Sequence, residues 1–236
     1  MVAGGSGLRF GGRKQFLPLA GRPVASWSVR AAGTVADGVV LVVPPPDGPE
    51  AADASDGPAH AGPDGPDGSV PVPGSTGAAA FGATCVVVGG ATRAGSVRAG
   101  LAAVPSDADV IVVHDAARPL AVPALFAAVV DAVRGGDVVG AVPVVPVTDT
   151  LKRVEAGRVV ATVDRDGLVA VQTPQAFEAA ALRAAHAAAG EATDDAALLE
   201  AAGGTVAAVE GDPRNLKLTR PEDLALAESL MAGVRS

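Results

Sequence analysis

Short apolar runs alternate with longer alanine-rich stretches along this chain, and that alternation predicts its architecture. The runs cover residues 39–43 (VVLVV), 85–89 (CVVVG), 110–113 (VIVV), 138–145 (VVGAVPVV), 169–172 (VAVQ) and 205–209 (TVAAV). They are too short for helices and rich in valine, so they read as strands. Between them, residues 24–36, 94–103, 122–134, 177–189 and 194–202 read as helices, followed by a last one at 221–231. Strands that are apolar throughout and separated by helices predict an α/β fold, a doubly wound, mostly parallel sheet with helices on both faces. The last helix has a start signal, with Thr219 and Glu222 spaced as a capping box and Pro221 suited to a first turn.

Two segments break the alternation. Residues 44–83 hold nine of the 19 prolines, eight of the 30 glycines and six acidic residues, with no Lys or Arg, so they read as a solvated low-complexity insertion. Its histidine, His60, has no partner spacing for a metal site. The second break is DTLKRVEAGRVVATVDRDGL, residues 149–168, where two valine- and threonine-containing runs meet at Glu155, Ala156 and Gly157. This pattern predicts a hairpin without a covering helix, either an edge ribbon or an arm that pairs with another subunit. Its charged residues favour the arm.

Composition narrows the functional classes. The 236 residues are 49% hydrophobic, enough for one large domain, but only 3% are aromatic, so the core must be built from Ala and Val packed closely. A net charge of −8 disfavours a nucleic-acid surface, which needs clustered Lys and Arg. No run approaches the roughly 20 apolar residues of a membrane span, and the first residues are glycine-rich and unlike a signal peptide. The lone Cys85 reads as a small buried hydrophobe in a reducing compartment. A soluble cytoplasmic protein is expected.

The candidate chemistry sits at the loops. In an open parallel sheet, ligands bind beyond the carboxyl ends of the strands. The opening GGSGLRFGGRK supplies Gly4, Gly5 and Gly7 for close backbone approach to an anion, with Arg9 and Lys14 as cations able to hold a triphosphate. It lacks the GK[ST] ending of a Walker loop, and Phe10 stands where a dinucleotide fingerprint needs its third glycine or alanine. After CVVVG, Gly89 and Gly90 let the chain pass near a ligand, and Ser96 either starts a helix or reaches a ribose or base. HDAARP places Asp115 just past a strand, where a carboxylate can hold a divalent cation or a ribose hydroxyl, with Arg118 facing the same crevice. His114 reads as structural, because no nucleophile or second histidine accompanies it. Lys217 lies in a short extended segment ahead of the last helix.

Together AGGSGLRF with RKQF, GGATRAGSVRAGL, VHDAARP, PVTDTLKR, TVDRDGL, QTPQAF, ATDDA and NLKLTRPEDL resemble the 2-C-methyl-D-erythritol 4-phosphate cytidylyltransferase family over nearly the whole chain, apart from the Pro/Gly insertion. The resemblance implies in-line attack of the substrate's 4-phosphate on the α-phosphorus of CTP, releasing pyrophosphate, with Mg2+ or another divalent cation on the triphosphate. It implies that Arg9 and Lys14 hold the triphosphate and that Lys217 with Lys14 stabilises charge developing at the α-phosphate. Ala3, Gly4, Gly5, Gly90, Ala91 and Ser96 would line the CTP site. Asp115 would lie near the ribose, the metal and the second substrate. Arg118, Thr150, Arg165 and Thr173 would serve methylerythritol phosphate, with Thr150 and Arg165 reaching a neighbour's site from a 149–168 arm that forms a homodimer.

The resemblance has departures. The family begins with a buried strand leading into the glycine loop, and Met1 to Ala3 are what stands for it here, so several further apolar residues before Met1 are expected in the natural protein. The spacing from Arg9 to Lys14 is shorter than in many relatives, and Ala91 stands where some carry an acidic residue. Two alternatives are a cytidylyltransferase for ribitol 5-phosphate or another polyol phosphate, and an inactive homologue that acts by binding. HDAARP and TVDR favour methylerythritol phosphate over the first, and the full set of charged residues argues against the second.

Overall fold

The computed structural model describes residues 1–3, 13–45, 81–188 and 194–232. A 3-10 turn at Lys14–Phe16 leads into a small ribbon of β1 (Pro18–Leu19) and β2 (Arg22–Pro23), followed by α1 (Val24–Ala32) and β3 (Val40–Val43). Then come β4 (Cys85–Val88), α2 (Arg93–Ala103), β5 (Val110–Val113), α3 (Pro123–Arg134) and β6 (Gly140–Pro146). The hairpin strands β7 (Leu151–Glu155) and β8 (Arg158–Val163) precede β9 (Val169–Val171), β10 (Gln175–Glu178) and α4 (Ala179–Ala187). The described chain closes with α5 (Asp195–Ala201), β11 (Val206–Glu210) and α6 (Glu222–Ala232).

The strands assemble in the order β4, β3, Met1–Ala3, β5, β10, β6, β11. Strands β3 and β4 pair in parallel, as do β6 and β11, whereas β10 runs antiparallel to both β5 and β6. Val2 bridges Val42 on one side and Asp115 on the other, both in parallel, so the first residues join two blocks of sheet. Their backbone is paired across both gaps: Val2 N donates to His114 O at 2.7 Å and Ala3 N to Val42 O at 2.8 Å. In return, Val42 N donates to Met1 O at 2.9 Å and Ala116 N to Val2 O at 3.0 Å. All strands of this array except β10 share one direction, which brings their carboxyl ends to one edge.

Helices cover both faces. Val97 and Leu101 of α2, Leu182 of α4 and Leu199 of α5 pack with Ile111, Val113, Val142 and Phe177. On the opposite face, Ala25 and Val29 of α1 and Phe126 of α3 pack with Leu41, while Val129 and Val133 of α3 meet Ala141 and Ala176. Alternate residues of one strand therefore feed different cores, as period-two geometry requires. Helix α6 closes over the β1–β2 ribbon through Leu19, Val24, Leu218 and Ala227.

Several boundary expectations are corrected. The helix expected from residue 177 begins at Ala179, because Ala176 and Phe177 alternate faces in β10. Phe177 is fully buried over Gly140, where a Cβ would stand 2.7 Å from its Cδ1. The start of α6 is held by Asp223 instead of Glu222: its Oδ2 accepts from Thr219 N, Thr219 Oγ1 and Arg220 N at 2.6, 2.9 and 2.8 Å. Cys85 is half-buried, because β4 pairs with β3 alone. The Pro/Gly-rich stretch 44–83 lies outside the described residues except at its ends. There Phe81 belongs to the core, buried and tilted against Phe16 with ring centroids 5.8 Å apart.

Candidate active site at the carboxyl edge of the sheet

The loop after β4 is shaped by glycines. A Cβ on Gly89 would lie 2.6 Å from Ser96 Oγ, and one on Gly90 would lie 3.0 Å from the carbonyl carbon of Gly95. The two passes of backbone thus touch, and only hydrogen fits between them. Thr92 caps α2, accepting from Gly95 N at 3.0 Å. The helix-start role expected of Ser96 therefore belongs to Thr92. Ser96 is buried within the first turn and donates to Gly90 O at 3.3 Å, pinning the loop from below. Ala91 is exposed at its tip. Ala3 is buried beside it in the sheet, its carbonyl accepting from Gln15 Nε2 at 2.7 Å.

Asp115 follows β5 and faces Lys217, whose Nζ is 2.6 Å from Oδ2, although the residues are 102 positions apart. Burial pushes the Asp115 carboxyl up, but Lys217, with smaller help from Arg93 and His114, outweighs it and holds the group below the usual carboxylate range. Lys14 Nζ donates to the carbonyl of Leu218, the neighbour of Lys217. Of the three expected catalytic cations, Lys217 thus meets the Asp115 carboxylate at the carboxyl edge, and Lys14 reaches the backbone next to Lys217. Arg9, Gly4 and Gly5 lie outside the described residues.

Arg118 does not pair with Asp115. Its Nη1 donates to Asn215 O at 2.7 Å, and burial lowers its pKa against the opposing pull of Asp115. Asn215 in turn donates to Thr173 O at 2.9 Å, and Gln172 donates to Asp212 O at 2.9 Å. The QTPQ and DPRN segments are thereby fastened together beneath Lys217. Thr173 Oγ1 accepts from Asp115 N at 3.0 Å. Thr150 and Arg165 lie elsewhere, lining a concavity of about 440 Å³ at the root of the hairpin with Leu151, Thr162, Val163 and Asp164. No hydrogen bond or ion pair among the described residues ties either to Asp115, Arg118 or Lys217.

A family model described as 2-C-methyl-D-erythritol 4-phosphate cytidylyltransferase matches residues 1–233. The chain belongs to that family. A cytidylyltransferase of this name from Nocardia farcinica is 44% identical over 235 residues, covering 97% of this chain and 91% of the relative. A bifunctional enzyme IspD/IspF from Clavibacter michiganensis is 58% identical over 156 residues, 65% of this chain and 38% of that protein. The match therefore spans about two-fifths of that bifunctional relative's length. Among solved structures, 2-C-methyl-D-erythritol 4-phosphate cytidylyltransferase from Thermus thermophilus superimposes with a TM-score of 0.74 at 35% identity, covering 98% of this chain and 96% of that one.

Within this family fold, the supporting residues were the hardest to find in the sequence. Asp195 is fully buried between Arg93 Nη2 at 2.7 Å and His186 Nε2 at 2.9 Å, tying the start of α2 to α4 and α5. Burial raises the Asp195 pKa, but the His186 bond and Arg93 hold it low. ATDDA was recognised only as a matching stretch. The local signal that could have found a cap there is an acidic pair ahead of an apolar helix; Asp194 supplies it, accepting from Ala197 N at 3.0 Å. Nothing local signalled the buried partner role of Asp195.

Proposed function

We propose that this chain transfers the cytidylyl group of CTP to 2-C-methyl-D-erythritol 4-phosphate, releasing pyrophosphate. The observation that carries the reading is the meeting of Lys217 with Asp115, with Lys14 bonded to the adjacent carbonyl, beside the Gly89–Ser96 loop. A phosphate oxygen of the polyol phosphate attacks the α-phosphorus, the bond from that phosphorus to the bridging oxygen of the β-phosphate breaks, and pyrophosphate leaves. No bond to the protein forms. Such a transfer depends on positioning and on cations aimed at developing charge. Lys14 and Lys217 supply that charge, with Arg9 on the triphosphate. The Gly90–Ala91 backbone faces the base, and Ser96 holds that loop in place. Arg118 faces the second substrate.

The residues fit a magnesium ion carried in by the nucleotide. Among the described residues no group of three or more His, Cys, Asp or Glu forms a cage, and magnesium is commonly held by one or two carboxylates together with substrate phosphates. Asp115 would be its protein ligand, and the ion would supply neutralisation of triphosphate charge.

The hairpin serves in this reading as a dimer arm that carries Thr150 and Arg165 to the partner's site. Support comes from Val154, Val159 and Val160, which are exposed along a ribbon that, among the described residues, pairs only with itself. The protein is read as cytoplasmic; no helix among the described residues is long and apolar enough to cross a membrane. Pyrophosphate release with CTP and Mg2+ tests the proposal. Turnover of methylerythritol 4-phosphate but not ribitol 5-phosphate is expected, and turnover of neither would refute it.

A further inference from the structure

Beneath Asp115 lies a hydrogen-bonded file that the proposed reaction does not itself use. His114 is 1% exposed, its ring tilted against Phe126 at a centroid distance of 5.0 Å. Its Nε2 is 3.3 Å from Arg118 O, and its Nδ1 is 3.0 Å from Thr173 Oγ1. A carbonyl oxygen can only accept, so Nε2 must carry a proton. In a neutral imidazole Nδ1 is then an acceptor, and Thr173 must donate to it. That hydroxyl accepts in turn from Asp115 N. The file therefore has one direction: Asp115 N–H to Thr173, Thr173 O–H to His114, His114 N–H to the Arg118 carbonyl.

The ring is buried against Phe126, and its two nitrogens face an uncharged carbonyl and an uncharged hydroxyl, an environment that holds an imidazole neutral. The far end is braced by Ser28 Oγ, which donates to the same Arg118 carbonyl at 3.1 Å. Arg118's own head group is held by Asn215. With its proton given to His114 and one lone pair taken by Asp115 N, the Thr173 hydroxyl has no proton left to donate and one lone pair still open.

We propose that His114 and Thr173 are positioning residues, a one-way relay that locks the metal- and ribose-facing Asp115 in register with the substrate-facing Arg118. The inference rests on the proposed cytidylyl transfer for what Asp115 and Arg118 do, while the direction of the file stands independently. It gives Thr173 a supporting role beside the expected substrate contact, and gives His114 a function beyond packing.

Two measurements test it. In 15N-histidine-labelled protein, long-range proton–nitrogen correlation should show His114 as the Nε2–H tautomer; an Nδ1–H tautomer or a charged ring at neutral pH would overturn the relay. In steady-state assays with CTP and methylerythritol 4-phosphate, Thr173→Val should lower kcat at least about tenfold while KM for CTP moves by less than about threefold, since misplaced reacting groups cost rate more than binding. Thr173→Ser, which keeps the hydroxyl, should recover most of the loss. Equal activity of the valine and serine variants would refute the positioning role. If the wild-type protein fails to turn over this pair, the functional reading fails, and the tautomer alone, which needs no variant, decides the relay.

Discussion

The buried imidazole of His114 makes stability depend on pH in a calculable way. The perturbation is acidification from about pH 7.5 to about pH 5, compared between the wild-type protein and His114→Gln. In the folded protein burial holds the ring's pKa at about 3, against an ordinary value of 6.5. The folded-state value is depressed, so the unfolded chain binds the extra proton first. The stabilisation is present above pH 6.5 and is lost as pH falls from there toward 3. At about pH 5 the unfolded histidine is roughly thirtyfold more protonated than neutral, while the folded ring is about one per cent protonated. This corresponds to a loss of about 2 kcal/mol. Asp115, Arg118 and the Met1 amine, which surround the ring, are present in both proteins, so the difference reads the histidine together with its coupling to them. Urea unfolding at the two pH values reads it directly. Wild type should lose about 2 kcal/mol more than His114→Gln. Equal losses would show that the ring is not held neutral by burial.

Three further outcomes are expected. Gly90→Ala forces a Cβ to 3.0 Å from backbone at Gly95, so the nucleotide loop must shift; KM for CTP should rise by about tenfold with little change in melting temperature, and an unchanged KM would detach this loop from the nucleotide. Asp195→Ala removes the shared partner of Arg93 and His186, and denaturant unfolding should show a loss of about 3 kcal/mol. Asp223→Ala leaves Thr219 N and Arg220 N without the carboxylate that accepts from both; calorimetry should register a loss of about 1 kcal/mol, with kcat unaffected.

The comparison of sequence with structure turns on particular elements. Periodicity located β5 at its observed limits, and most other strands and helices to within a few residues, because each is long enough to display its own pattern of buried positions. It missed β10, whose Phe177 and Glu178 were merged into an alanine-rich helix, because Ala and Phe are as compatible with a helix as with a strand. That omission concealed the antiparallel strand that joins β5 to β6. Motif spacing singled out Asp115, Arg118 and Lys217 but not their partners: Asp115 faces Lys217, and Arg118 donates to the Asn215 carbonyl.

By itself, then, the sequence determined most of the strands, where glycine must stand, and which charged side chains wait at strand ends. These depend on neighbours within one turn or one strand, whose spacing is written along the chain. Only the tertiary structure decided the partners: Asp115 with Lys217, Thr173 with His114, Asp195 with Arg93. Each pair joins segments distant in sequence. A buried polar group must find a complement wherever packing delivers one, and no local pattern specifies that place.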